Sequence, residues 1–222
     1  MRACTLLLSI AISSLVLAQR TRFPEPSLTA KGTLTLPLPI GIPVFTGLTE
    51  SIGGIDACVQ YPVWKGLGFG VGGRACWFGI EERAFAPQTL SGEIFRATYF
   101  GKVQWEKYTG KRTFIELAAK VGLSDFRYTS NSDLGKFTFK EQGLHTGAQF
   151  GLYLHASDNL AFGLQLGYER DQAYLAPDRF NLDEFPPRFV LDAPEGPYDF
   201  FTVGLGFSTR FSKSEDEGPG EW

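Results

Sequence analysis

Beyond residue 18 the sequence has no apolar run long enough to cross a bilayer as a helix, so a helical membrane span is excluded for these residues. Cysteine is scarce: there are three, Cys4 near the start and Cys58 and Cys76 further on. That is too few for a fold stapled by several disulfides or for a cysteine-ligated cluster. Histidine is scarcer, with only His145 and His155, and a histidine-rich metal centre is excluded with it. Cations are not in excess, since 21 Lys and Arg stand against 24 Asp and Glu, for a formal charge of −3. They are also scattered, which argues against a nucleic-acid partner.

Glycine and aromatic residues are abundant, with 26 Gly and an aromatic share of 14%. The start of the chain, MRACTLLLSIAISSLVLAQR, carries one early Arg, an apolar run and Val16-Leu17-Ala18 before Gln19. This pattern is that of a secretory leader ending after Ala18. Residues 1–18 are expected to be that leader, 19–29 a lead-in, 30–211 the folded domain and 212–222 a disordered polar tail.

The folded part alternates with a period of two. In AQFGLYLHASDNLAFGLQLGYER, Ala148, Phe150, Leu152, Leu154 and Ala156 share one face, the pattern breaks at Ser157-Asp158-Asn159, and Leu160, Phe162, Leu164, Leu166 and Tyr168 repeat it. A hairpin follows from the alternation and the turn chemistry. The same pattern predicts a hairpin around Gly66, another around Gly110 and a last strand ending at Phe211. GTLTLPLPIGI supplies an eighth strand, with Pro37 and Pro39 suited to an edge or a strand end. Connections near Gly66, Gly110 and Asp158 are short, and those near 41–50, 84–92, 129–143 and 174–196 are longer.

Two architectures share this pattern. A soluble lipocalin-like carrier would turn its apolar face inward around a ligand, whereas a membrane barrel turns it toward lipid. The polar faces here are rich in Gly, Thr, Ser and Gln, and sparse in charge for a surface bathed in water. Their charges nearly balance, with Arg74, Arg96, Lys102, Lys120 and Arg210 against Asp56, Glu106, Glu116, Glu169 and Asp171. A narrow interior filled by paired charges fits that count, because an unpaired buried charge is costly. Tyr61, Trp77, Trp105 and Tyr168 then fall toward strand ends as interfacial aromatics. The expected fold class is all-β, an eight-stranded antiparallel up-and-down transmembrane barrel.

On the leader, the repeated hairpins and the closing strand, residues 30–211 resemble the small bacterial outer-membrane β-barrel proteins, also described as porin-family barrel domains. That resemblance implies an outer-membrane location, outer-membrane lipid as surroundings, and a final strand read by the barrel-insertion machinery. Gly204, Phe207 and Phe211 fit that insertion signal, although SKSEDEGPGEW follows Phe211.

Candidate site residues are few. Cys58 and Cys76 lie on one face of a hairpin and would pair as a disulfide if the turn is centred on Leu67. His155, Ser157 and Glu169 resemble the spacing of barrel-shaped lipid A deacylases. If the chain reverses at Asp158, however, Glu169 lies about 25 Å from His155 at about 3.3 Å per residue, beyond any hydrogen bond. The acidic, proline-rich stretch from Leu175 to Asp199 could meet an extracellular partner but reads first as a solvated loop. No cofactor or metal is implied. The expectation is a non-enzymatic barrel with a structural or surface-interaction role and a plugged polar lumen, its alternatives being a narrow small-solute porin and the carrier.

Overall fold

In the computed structural model, the described residues are 27–86, 89–110, 112–133, 135–157, 159–189 and 195–211. The expected leader and polar tail lie outside them. Eight strands run β1 Leu28–Ile40, β2 Thr49–Trp64, β3 Leu67–Ile80, β4 Leu90–Tyr108, β5 Thr113–Ser132, β6 Gly135–His155, β7 Leu160–Asp171 and β8 Tyr198–Phe211. They are antiparallel neighbours in chain order, and β1 pairs with β8 to close the barrel. The first strand begins four residues before the alternating stretch that starts at Gly32. A short helix, α1, spans Pro43–Leu48 between β1 and β2.

Closure explains where the prolines sit. The β1–β2 ladder stops at Thr35, while β1 continues against β8 as far as Ile40. Pro37 and Pro39 lie in that one-sided stretch, where the missing N–H groups break no second ladder. Tight turns join β2 to β3, β4 to β5 and β6 to β7 at one end of the barrel, here the turn end. At the first of these, Lys65 and Gly66 both have positive φ, 44° and 89°, which is the backbone of a two-residue hairpin turn.

The opposite, loop end departs from expectation at one connection. The stretch 129–143 was expected to be a long loop, but β5 and β6 run on through it and pair from Ser132↔Gly135 downward. Its polar residues, Thr129, Ser130, Asn131, Thr138 and Lys140, weaken the apolar alternation without breaking the ladder. As a result β4, β5 and β6 reach 19, 20 and 21 residues, well beyond the 9–11 that cross a bilayer.

The faces are divided as a membrane barrel requires. Leu34 and Leu205, cross-strand partners at mid-barrel, are 66% and 65% exposed, and Leu164, Val121, Leu123 and Val71 are likewise turned outward. Arg74, Arg96, Lys102, Lys120, Glu116 and Glu169 are buried inside. A carrier-type barrel would have the reverse arrangement. Each strand pairs with a neighbour on both sides in a closed sheet, the condition for a β-structure in hydrocarbon.

A charge placed on this outer belt tests the orientation. Leu205→Arg at mid-barrel is expected to lower stability by about 2–4 kcal/mol, and Phe211→Arg at the turn end by about 0–1 kcal/mol, in urea unfolding from phospholipid micelles. Equal effects at the two positions would contradict a lipid-facing belt.

Candidate functional site

The charged part of the interior is built in two tiers by inward residues of β1 to β5 and β7. In the turn-end tier, Lys31 of β1 donates to Glu106 Oε1 at 2.6 Å and also to Glu116 Oε2. Lys102 donates to Glu116 Oε1 at 2.8 Å and to Gln60 Oε1 at 3.1 Å, while Gln60 Nε2 donates to Glu106 at 2.9 Å. In the second tier, Asp56 accepts from Arg74 at 2.7 Å and from Lys120 at 2.8 Å. Glu169 accepts from Arg74 and, at 3.0 Å, from Arg96, which lies 2.7 Å from Asp171. These groups are almost wholly sealed from solvent. Each carboxylate contacts at least one cation, which offsets the several kcal/mol that burying a lone charge would cost.

Nine of the ten charged residues singled out in the sequence join these tiers. The tenth, Arg210, stands half-buried at the turn end, 3.8 Å from Glu106, with its guanidinium on Tyr108. Its expected place in the balance is taken by Lys31, so five buried cations face five carboxylates. Lys31 was missed because it precedes the alternating leucines of β1. Its odd position, opposite in parity to Leu34 and Leu36, was the signal available. His145 was also passed over. It is buried, 2.9 Å from Asp171 Oδ1 through Nδ1.

Glycine makes room for this packing. The Tyr153 ring lies over Gly163 of β7, where a Cβ would stand 2.7 Å from the ring. Tyr153 also stacks on Phe114 at 4.8 Å, and the two rings flank the Lys31 ammonium.

Above the charged tiers the interior turns apolar, a change the sequence reading did not anticipate. Phe78, Ile80, Ile94, Phe126, Tyr128, Tyr198 and Phe200 point inward at the loop end and are buried. Phe45 and Leu48 of α1, Phe85, Leu175, Phe180 and Phe185 descend from the connections into the same core. Polar ties hold those connections. Glu195 accepts from the free N–H groups of Val44 and Phe45 at the start of α1, at 3.2 and 2.9 Å, in the favourable direction of the helix dipole. Arg188 donates to the carbonyls of Arg83 and Ala84, and Arg179 pairs with Glu141 at 3.2 Å. The described residues of the stretch from Leu175 to Asp199, read first as a solvated loop, therefore form a cover over this core.

One sequence expectation is corrected by register. Cys58 faces Gly72 and Cys76 faces Gly54, because the hairpin turns at Lys65-Gly66 and not at Leu67. The cysteines share the inner face but are offset by four residues, about 13 Å along the strand, and both are free thiols. A disulfide needs Cα atoms within about 7 Å. The deacylase-like trio is dispersed, as a reversal at Asp158 implies: His155 faces Ala161 and lies with Ser157 at the turn end, whereas Glu169 is held by Arg74 and Arg96 in the upper tier. Of the residues matched to an insertion signal, Gly204 faces inward on β8 while Phe207 and Phe211 face lipid.

No family model matches the chain, and no curated protein matches it. Among solved structures it is similar to Neisserial surface protein A, at 9% identity over 83% of this chain and 97% of that one, with a TM-score of 0.51. It is also similar to Ail, the attachment invasion locus protein of Yersinia pestis, solved with the heparin analogue sucrose octasulfate. Here identity is 14%, coverage 84% and 99%, and the TM-score 0.49. A third is the N-terminal β-barrel domain of Pseudomonas aeruginosa OprF, at 10% identity, 84% and 100% coverage and a TM-score of 0.39.

Three outcomes follow from the interior. Glu116→Gln leaves Lys31 and Lys102 to share the remaining acceptors and is expected to cost about 3 kcal/mol or more in micelle-based unfolding. The double substitution Lys102→Met, Glu116→Met is expected to cost less than the sum of its parts. Denatured protein should migrate identically with and without reductant; a reductant-dependent shift within one chain would restore the cross-link.

Proposed function

We propose that this small outer-membrane β-barrel protein is a non-enzymatic scaffold with a structural or surface-interaction role and a lumen closed to solutes. The observation that carries the reading is the layered filling of the bore. Two tiers of ion-paired side chains occupy its turn-end and middle sections, and an aromatic core continuous with the connections occupies the loop end. Eight strands leave an interior that side chains can fill, so a continuous water path has no room to form.

The chemistry of the interior supports the non-enzymatic part. Ser124, His145 and Asp171 do come together, but Ser124 donates to Asp171 at 2.6 Å and the imidazole contacts the same carboxylate oxygen at 2.9 Å. A serine nucleophile needs its proton taken by the imidazole. Here both groups are spent on one carboxylate, and all three are sealed from solvent. In this reading the loop end faces outward from the cell and the tight turns face the periplasm. The closing strand, through Gly204, Phe207 and Phe211, is what the barrel-insertion machinery engages.

Single-channel recording in planar bilayers tests the closed lumen. The reconstituted protein is expected to give no steady conductance above the bare membrane. Lasting, voltage-independent openings would replace the scaffold with the narrow porin.

A further inference from the structure

We propose that the outer wall of the β4–β5–β6 extension carries a binding groove for the phosphate of an anionic lipid headgroup in the leaflet at the loop end. The inference rests on the membrane-scaffold reading and adds a ligand to it. The groove has a volume of about 630 Å³ and is lined by Arg127, Lys136 and Lys140, with Thr129 and Thr138 between them, Glu93 on its β4 edge and Trp77 and Phe95 at its side.

Three observations point to an anion here. First, Arg127 and Lys140 are direct cross-strand partners on the same outward face, with Lys136 on that face four residues, about 13 Å, further out. Like charges placed opposite each other across a sheet destabilise it unless something negative sits between them. Second, these three cations form no ion pair with any described carboxylate, whereas at the same end Arg170 pairs with Asp199, and Arg179 with Glu141 and Asp178. Glu93 in the groove and Asp125, two residues nearer the belt on the Arg127 face, leave the cations in excess.

Third, the height is right for a headgroup. The uppermost belt row on this wall is Tyr99–Leu123–Leu144, all outward. Next comes Ala97–Asp125–Gln142, and then Phe95–Arg127–Lys140, joined by Trp77 on β3. Four residues from Leu123 to Arg127 span about 13 Å of strand, or about 10 Å along the membrane normal at a tilt of about 40°. That is where hydrocarbon gives way to phosphates, and the aromatic pair in the same row is the usual marker of that boundary. Acyl chains would descend over Tyr99, Leu123 and Leu144, and the threonine hydroxyls would donate to phosphate oxygens beside the cations.

Native mass spectrometry of the folded barrel in neutral detergent tests the proposal. Phosphatidylglycerol, phosphatidylcholine and inorganic phosphate serve as the probes. Phosphatidylglycerol adducts are expected to persist, and to weaken at least tenfold in Arg127→Gln, Lys136→Gln, Lys140→Gln. Arg112→Gln, which removes one charge at the turn end, should retain them. Equal retention of phosphatidylcholine, or undiminished adducts in the triple variant, would overturn the groove. So would saturation by inorganic phosphate that blocks the lipid without needing acyl chains. A heat-shifted gel band in each variant reports barrel closure separately, so a lost site and a failed barrel are told apart.

Discussion

Everything in this molecule depends on the seam between its first and last strands. In hydrocarbon an unpaired backbone N–H or C=O has no water to turn to, and an open sheet edge would present a whole row of them. Pairing β1 with β8 from Leu28↔Phe211 to Ile40↔Asp199 removes the edge. Once the ring is shut, the period of two forces a choice of face at every position. Leucines and valines go to lipid, and whatever alternates with them is forced into a bore too narrow for bulk water.

That forced interior explains the chemistry inside. Strand parity, not local preference, delivers lysines, arginines and carboxylates to the lumen, so they must neutralise one another there. The network achieves this by sharing: Asp56 serves Arg74 and Lys120, Glu116 serves Lys31 and Lys102, and Glu169 serves Arg74 and Arg96. Because these partners come from β1 through β5 and β7, the ion pairs also tie opposite walls of the barrel together. Buried pairs of this kind contribute little net stability against an apolar alternative, but removing a single member leaves a stranded charge. They therefore act mainly to fix how the walls face one another.

The strands and their faces were legible because a period of two is a local signal that survives in any hairpin. Long-range closure followed from the even number of strands. Register was not legible to the last residue. Placing the turn at Lys65-Gly66 instead of Leu67 shifts every cross-strand pair of that hairpin, and with it the fate of Cys58 and Cys76. Lys31 was hidden at the start of a strand whose prolines masked its extent. The aromatic core at the loop end was hidden for a different reason. Where α1 and the connection after β7 fold inward, the inner face becomes apolar too. Both faces of β3 and β8 then read as hydrophobic, as at Trp77-Phe78 and Phe200-Phe201, and alternation no longer tells in from out.

The uneven strand lengths connect these parts. β1, β7 and β8 have 13, 12 and 14 residues, close to what a membrane needs once their ends are allowed for, whereas β4, β5 and β6 have 19 to 21. The surplus can only rise beyond the membrane on one side of the barrel, because the turns at the other end are tight. A projecting sheet has two faces to satisfy. The inner one is covered by the connection between β7 and β8: Phe180 packs on Tyr128, Ser130 donates to the Phe180 carbonyl, and Arg179 lies over Phe139. The outer one carries Arg127, Lys136 and Lys140 instead of apolar residues. A sheet with an apolar outer face would sink toward the lipid or pair with another. Arg127 facing Lys140 across the strands, with the cations in excess over Glu93 and Asp125, suits a wall that emerges from a bilayer through a layer of phosphates.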